Sequence, residues 1–202
     1  MNRDGEQQKD AQLVAAALKK PDDFVHLVRR FEAPLGRYLA RLVRTDEDEQ
    51  RILLQNVFIK VYQNLNGIDT SLPLSSWLYR IAHNEAIDYF RRRFREAIPD
   101  SATEHTDEDG DTQSALDRIA DEMDIVSSLD KERARAIISS ILDTMPPKYK
   151  DVLVLRFFEA KDYTEIADII KRPLGTVSIL LHRAKKEFRK KAALRGVSIN
   201  EL

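Results

Sequence analysis

Between Glu96 and Asp130 the chain carries twelve acidic side chains against a single base, Arg118. No other feature constrains the fold as strongly. About half of this stretch, IPDSATEHTDEDGDTQS from Ile98 to Ser114, holds too little apolar surface to offset the entropy lost on ordering. It reads as a linker, so the residues on its two sides are expected to form separate cores. The stretch sums to −11, and the whole chain of 202 residues to −1, which leaves −1 + 11 = +10 on the flanking parts. Polyanion binding responds to local patches of charge and not to the molecular sum, so the basic parts remain able to bind nucleic acid.

Both flanks show apolar residues at spacings of three and four, the mark of packed helices. The first begins near Leu13 and continues through Phe24, Leu27, Val28, Phe31, Leu35, Leu39 and Leu42. Asp22 is the expected cap before Phe24, and Asp46 the cap of a helix carrying Ile52, Leu53, Val57, Ile59 and Val61. The turn formers Asn66-Gly67, Asp69, Ser71 and Pro73 interrupt the pattern between Asn64 and Ser76, before a helix from about Ser75 to Arg95. Beyond the linker, periodicity returns at Leu116, Ile119 and Met123, and again from Ile137 to Leu142. It stops at Met145-Pro146-Pro147, because proline lacks the amide hydrogen that a helix interior uses. With six glycines and abundant Ala, Leu, Glu, Lys and Arg, the expected class is all-α: two small helical domains joined by an acidic linker. The expected boundaries are an N-terminal extension 1–20, a first domain 21–96, the linker 97–130, a second domain 131–195 and a tail 196–202.

Several function classes drop out. No run approaches the roughly 18 apolar residues of a spanning helix, and the opening MNRDGEQQKDAQ lacks a secretory apolar stretch, so a cytoplasmic location without membrane insertion is expected. The absence of cysteine removes disulfides, thiolate nucleophiles and cysteine metal sites. His26, His83, His105 and His182 are scattered, and neither HExxH nor a phosphate-loop pattern occurs. No metal, no cofactor and no catalysis are expected.

In the second domain, Asp162-Tyr163-Thr164-Glu165 opens a short helix with Ile166, Ala167, Ile169 and Ile170 on its inner side, and Lys171-Arg172-Pro173-Leu174-Gly175 closes it. A second helix from Thr176 has Val177, Leu181, Ala184 and Phe188 as its buried stripe. This pattern fits a helix-turn-helix, whose second helix enters the DNA major groove. Arg183, Lys185, Lys186, Arg189, Lys190, Lys191 and Arg195 gather along it against one acid, Glu187. Such a run alone equally suits a solvated helix end complementing its own dipole; the adjoining turn favours DNA.

The first domain holds PLSSWLYRIAHNEAIDYFRRRFR, an aromatic helix ending in Arg91, Arg92, Arg93 and Arg95. Aromatics beside cations suit single strands, whose bases stack on rings while arginines meet phosphates. Trp77, Tyr79, Arg80, Asn84, Asp88 and Arg91 are candidates for that surface. Helical spacing also places Trp77, Ile81 and Tyr89 toward the core, and for Trp77 core packing is the stronger of the two readings.

SWLYRIAHNEAIDYFRRR resembles the segment with which extracytoplasmic-function (ECF) sigma factors of the sigma-70 family melt and read the minus-ten promoter element. MPPKYKDVLVLRFFEAKDYTEIADII and PLGTVSILLHRAKK resemble their C-terminal domain, which reads the minus-thirty-five element. The two occur in family order across most of residues 20–193. The resemblance implies sigma region 2 in the first domain, sigma region 4 in the second, and a role in promoter-specific initiation with core RNA polymerase. For the minus-ten element it implies Asn66, Asp69, Ser76, Trp77, Arg80, Asn84, Asp88, Arg91 and Arg92. For the minus-thirty-five element it implies Arg172, Thr176, Ser178, Ile179, His182, Arg183, Lys186 and Arg189. For the clamp helices of the largest polymerase subunit it implies Asp48, Glu49, Arg51, Ile52, Gln55, Asn56 and Phe58, and for the second domain the flap of the second-largest subunit.

The chain departs from the family pattern in three places. Arg51, Ile52 and Asn56 stand where acidic or polar residues are usual, Lys171 where a turn glycine is usual, and Ser178-Ile179-Leu180 where more polar residues are usual. An anti-sigma partner is left open. So are two alternatives: a helix-turn-helix regulator that binds duplex without polymerase, and a sigma-like protein acting through protein contacts at Ile52, Ile179 and Leu180.

Overall fold

A computed structural model describes residues 3–68, 73–97 and 131–195. Most of the acidic linker, with Leu116, Ile119 and Met123, lies outside the described residues, as do Asp69 and the tail 196–202. Among the described residues all regular structure is helical, as the apolar spacing requires. The chain divides into two compact units: Met1–Ser101 with Thr164–Lys171, and Ala102–Tyr163 with Arg172–Leu202.

The first unit contains α1 (Arg3–Lys19), a 3-10 turn (Pro21–Asp23), α2 (Phe24–Leu42), α3 (Glu47–Asn64), a second 3-10 turn (Leu65–Gly67) and α4 (Leu74–Ala97). α2 packs against α1, α3 and α4, and α3 packs against α4. The stripe Leu27, Phe31, Leu35, Tyr38, Leu39 and Leu42 is buried against Leu53, Val57 and Val61 of α3 and Trp77, Leu78, Ala82 and Ala86 of α4. Each large side chain so buried contributes roughly 1.5–3 kcal/mol relative to exposure. The Tyr38 and Tyr79 rings meet edge to face at 5.2 Å. Asp10 of α1 and Arg30 of α2 form an ion pair at 2.5 Å.

The two expected caps fare differently, for a backbone reason. Asp46 is extended (φ −70°, ψ 170°), and its Oδ1 accepts the Glu49 N–H at 2.8 Å. Asp22 does not cap α2. It lies inside the turn Pro21–Asp23, and the N-cap residue is Asp23, which makes no side-chain cap bond. Asp23 is already helical (φ −73°, ψ −9°), a geometry that turns the carboxylate away from the first-turn amides.

In the chain of the second unit, α5 (Lys131–Leu142) ends before Pro146, and α6 (Pro147–Leu153) starts on a proline, where no intrahelical amide is needed. A single π turn (Val154–Phe158) follows, then α7 (Tyr163–Ile170), whose residues from Thr164 group with the first unit, and α8 (Leu174–Ala193). α6 and α5 pack on α8, burying Ile141, Leu142, Val152, Leu153, Val177, Leu181, Ala184, Phe188 and Ala192. Lys150 Nζ reaches Asp143 Oδ1 at 2.9 Å, so an almost fully buried ammonium keeps a partner.

Candidate nucleic-acid interface

Arg80, Asn84, Asp88 and Arg91 follow one another on α4 at intervals of four, four and three, which puts them on one side of the helix. Asn84, Arg91 and Arg92 are exposed, and Arg80 and Asp88 half-buried. Arg91 Nη1 lies 3.6 Å from Asp88 Oδ1, and within the same unit Arg80 Nη1 donates to Asp168 Oδ1 at 3.1 Å. Asn66 is exposed in the turn before α4; Asp69 lies outside the described residues. Ser76, Trp77 and Tyr79 are buried, at 1%, 8% and 5% exposure. Core packing is therefore the reading the structure has for Trp77, and Tyr79 offers no ring for stacking because it is spent on Tyr38.

The outer side of α3 presents Asp48, Glu49, Arg51, Ile52 and Gln55, all exposed, with Asn56 and Phe58 half-buried. Ile52 and Ile59, expected within an apolar helix pattern, are 56% and 46% exposed, while Leu53, Val57 and Val61 take the inner positions. Glu49 is held by α4: Tyr89 OH donates to its Oε2 at 2.7 Å, and Arg93 Nη1 lies 3.7 Å from the same oxygen while donating to Tyr89 OH at 2.6 Å. Glu85, which sequence reasoning passed over, is buried between the two helices with Lys60, Asn56 and Arg92 around it.

Along α8, His182, Arg183, Lys186 and Arg189 are exposed, and Thr176, Ser178 and Ile179 half-buried; Arg172 is exposed in the turn before it. The turn spans Lys171 to Pro173 only, and Leu174 and Gly175, expected in the break, already belong to the helix. Lys171 has φ 53°, the left-handed geometry for which the family's usual glycine is suited. Lys185 departs from the expected outward run. It is buried, with its ammonium 5.1 Å from the centre of the Phe157 ring. Lys191 pairs with Glu187 at 3.5 Å.

Residues 27–96 match the family described as sigma-70 region 2, and residues 135–188 that described as sigma-70, region 4. The ECF RNA polymerase sigma factor SigW of Bacillus subtilis is 31% identical over 172 residues, 84% of this chain and 88% of that protein. The RNA polymerase sigma factor YlaC of the same organism is 30% identical over 174 residues, 86% and 94% of the respective chains. The solved structure of CnrH in complex with the cytosolic domain of CnrY shares the fold, with a TM-score of 0.61 at 22% identity over 92% of this chain and 97% of that one. So does RpoE in complex with the anti-sigma factor NepR from Bartonella quintana, with a TM-score of 0.61 at 20% identity over 85% and 97%.

The polar, arginine-rich side of α4 and the succession of α7, a short turn and α8, together with the two family matches, mark a promoter-recognition protein of the sigma class. The chain belongs to the ECF group of the sigma-70 family and is a promoter-directing RNA polymerase sigma factor. Among the described residues no helix is long and apolar enough to cross a membrane.

Proposed function

We propose that this sigma factor opens its promoters with the outer side of α4 and reads the upstream element with the outer side of α8. In region 2, residues 21–96, Asn84, Asp88, Arg91 and Arg92, with Asn66, Asp69 and Arg80, meet the non-template strand of the minus-ten element. Ser76 and Trp77 support that surface from the core. In region 4, residues 131–195, Arg172, Thr176, Ser178, Ile179 and His182 face base edges, while Arg183, Lys186 and Arg189 meet phosphates. The outer side of α3, Asp48 to Phe58, docks on the clamp helices of the largest polymerase subunit, and region 4 on the flap of the second-largest. The acidic segment 97–130 links them. The protein contributes binding energy in the cytoplasm and performs no covalent step.

The observation that carries this reading is the succession of Arg80, Asn84, Asp88 and Arg91 along one side of α4, leading into exposed arginines at Arg91 to Arg93. Such a side combines polar groups for unpaired bases with cations for phosphates. The test is permanganate footprinting of a promoter with wild-type and Asn84→Ala protein at matched polymerase occupancy. A hydrogen bond from Asn84 to an unpaired base is worth roughly 0.5–1.5 kcal/mol, so thymine reactivity is expected to fall about two- to tenfold with core binding unchanged. Equal reactivity would remove this side of α4 from promoter opening.

A further inference from the structure

Glu85 stands where the helical pattern calls for an apolar residue. It lies next to buried Ala86 on the inner side of α4, and its side chain is 2% exposed. A buried carboxylate persists only where cations and donors replace its water. Three side chains do so here. Lys60 Nζ pairs with Oε2, Asn56 Nδ2 donates to Oε1 at 3.3 Å, and Arg92 Nη2 donates to the same Oε1 at 3.4 Å. Lys60 Nζ also lies 3.7 Å from Asp88 Oδ2. Asn56 and Lys60 belong to α3, and Arg92 lies two turns further along α4. The Arg92 side chain is 56% exposed, so it faces solvent while one of its nitrogens is held from below.

We infer that Glu85 is a positioning residue for promoter binding. Its buried carboxylate holds the Arg92 guanidinium at the surface of α4 before DNA arrives. The same oxygen takes the Asn56 amide, so one acid ties the helix proposed to face polymerase to an arginine proposed to face DNA. The role rests on the reading of Arg92 as a DNA contact given above. Arginine carries large rotamer freedom, and an untethered Arg92 must be ordered at the moment of contact.

Simple charge and positioning predict opposite signs. Glu85→Gln raises the local charge by one, which by itself strengthens attraction for DNA. Positioning predicts weaker promoter opening despite that gain. The experiment uses the full chain with core RNA polymerase and compares wild type, Glu85→Gln, Arg92→Ala and the double variant. It reads thermal unfolding, core affinity, nonspecific duplex affinity and permanganate reactivity on a promoter found by transcribing genomic fragments in vitro. Expected for Glu85→Gln is a loss of open complex of about fivefold, the size of one ordinary net hydrogen bond, with core affinity unchanged and nonspecific affinity equal or tighter. The double variant is expected to open promoters no worse than Arg92→Ala alone. Arg92→Ala defective with Glu85→Gln at the wild-type level, or losses that multiply in the double variant, overturns positioning and leaves Arg92 as a contact. Arg92→Ala at the wild-type level overturns the reading of Arg92 and the role of Glu85 with it. If Glu85→Gln does not fold, Glu85→Asp, which keeps the charge and withdraws the oxygens by one carbon, enters the same cycle with the same deciding outcomes.

Discussion

Replacing Lys171 by glycine and, separately, by alanine measures what the helix-turn-helix turn costs. Lys171 sits at φ 53°, where the Cβ of an L-residue crowds the following carbonyl at a cost of roughly 1–2 kcal/mol. Its ammonium lies 2.7 Å from Asp168 Oδ1, but the lysine side chain is 60% exposed, so the pair is worth at most about 1 kcal/mol. Both variants delete that pair. Their difference therefore isolates the backbone: glycine escapes the left-handed penalty but loses roughly 0.5–1 kcal/mol more than alanine in freedom on folding. The glycine variant should exceed the alanine variant by about 0.5–1 kcal/mol. For a unit of this size that is a difference of about 2–8 °C in midpoint. Against wild type the glycine variant should come out near parity, since the relief and the lost pair are of similar size. The assay is urea and thermal unfolding of the full chain by circular dichroism, with amide hydrogen exchange in α7 and α8 as the local readout. An alanine variant as stable as the glycine variant, with equal protection in both helices, would refute the strain argument.

Two further outcomes are expected. Asp46→Ala removes the side-chain acceptor of the Glu49 N–H at the start of α3 and should cost about 1 kcal/mol in unfolding free energy, whereas Asp22→Ala, which removes no cap bond, should cost less than about 0.5 kcal/mol in the same urea titration. Alanine at Arg183, Lys186 and Arg189 together should flatten the salt dependence of promoter binding by up to about 2.7 in the slope of log K against log salt, at roughly 0.9 per phosphate contact, and an unchanged slope would remove these side chains from the DNA surface.

The helices were legible because their signals are short-range. Apolar residues three and four apart, Pro146-Pro147 after Met145 and Asp46 before an acidic first turn each act within a turn or two of themselves. The side of each helix was less legible where apolar residues cover most of the circumference. On α3 the sequence offers Ile52, Leu53, Val57, Ile59 and Val61, and only packing against α2 and α4 decides that Ile52 and Ile59 stay outside. Asp22 failed as a cap because the preceding Pro21 starts a 3-10 turn, a backbone choice that residue type alone does not fix. Trp77 and Tyr79 illustrate the same limit for the candidate site. Both suit stacking by chemistry, and both are withdrawn by a core that the linear pattern does not display.

Charge was the least legible property, because a sequence counts cations without showing which are already engaged. The run along α8 and just past its end holds seven basic residues from Arg183 to Arg195, yet Lys185 is folded inward over Phe157 and Lys191 is paired with Glu187. On α4, Arg92 is held by Glu85 and Arg93 by Tyr89 and Glu49. On α4 the acids responsible lie on another helix or seven residues away, beyond the three-and-four spacing at which charge pairs such as Lys191 with Glu187 are read from sequence. This bears directly on DNA binding. A cation engaged inside the fold either does not reach a phosphate or reaches it already oriented, so neither the salt slope nor the affinity follows from the net charge of the region. The exposed trio Arg183, Lys186 and Arg189 should set the salt dependence of region 4, and the tethered Arg92 should show its effect in promoter opening more than in nonspecific affinity.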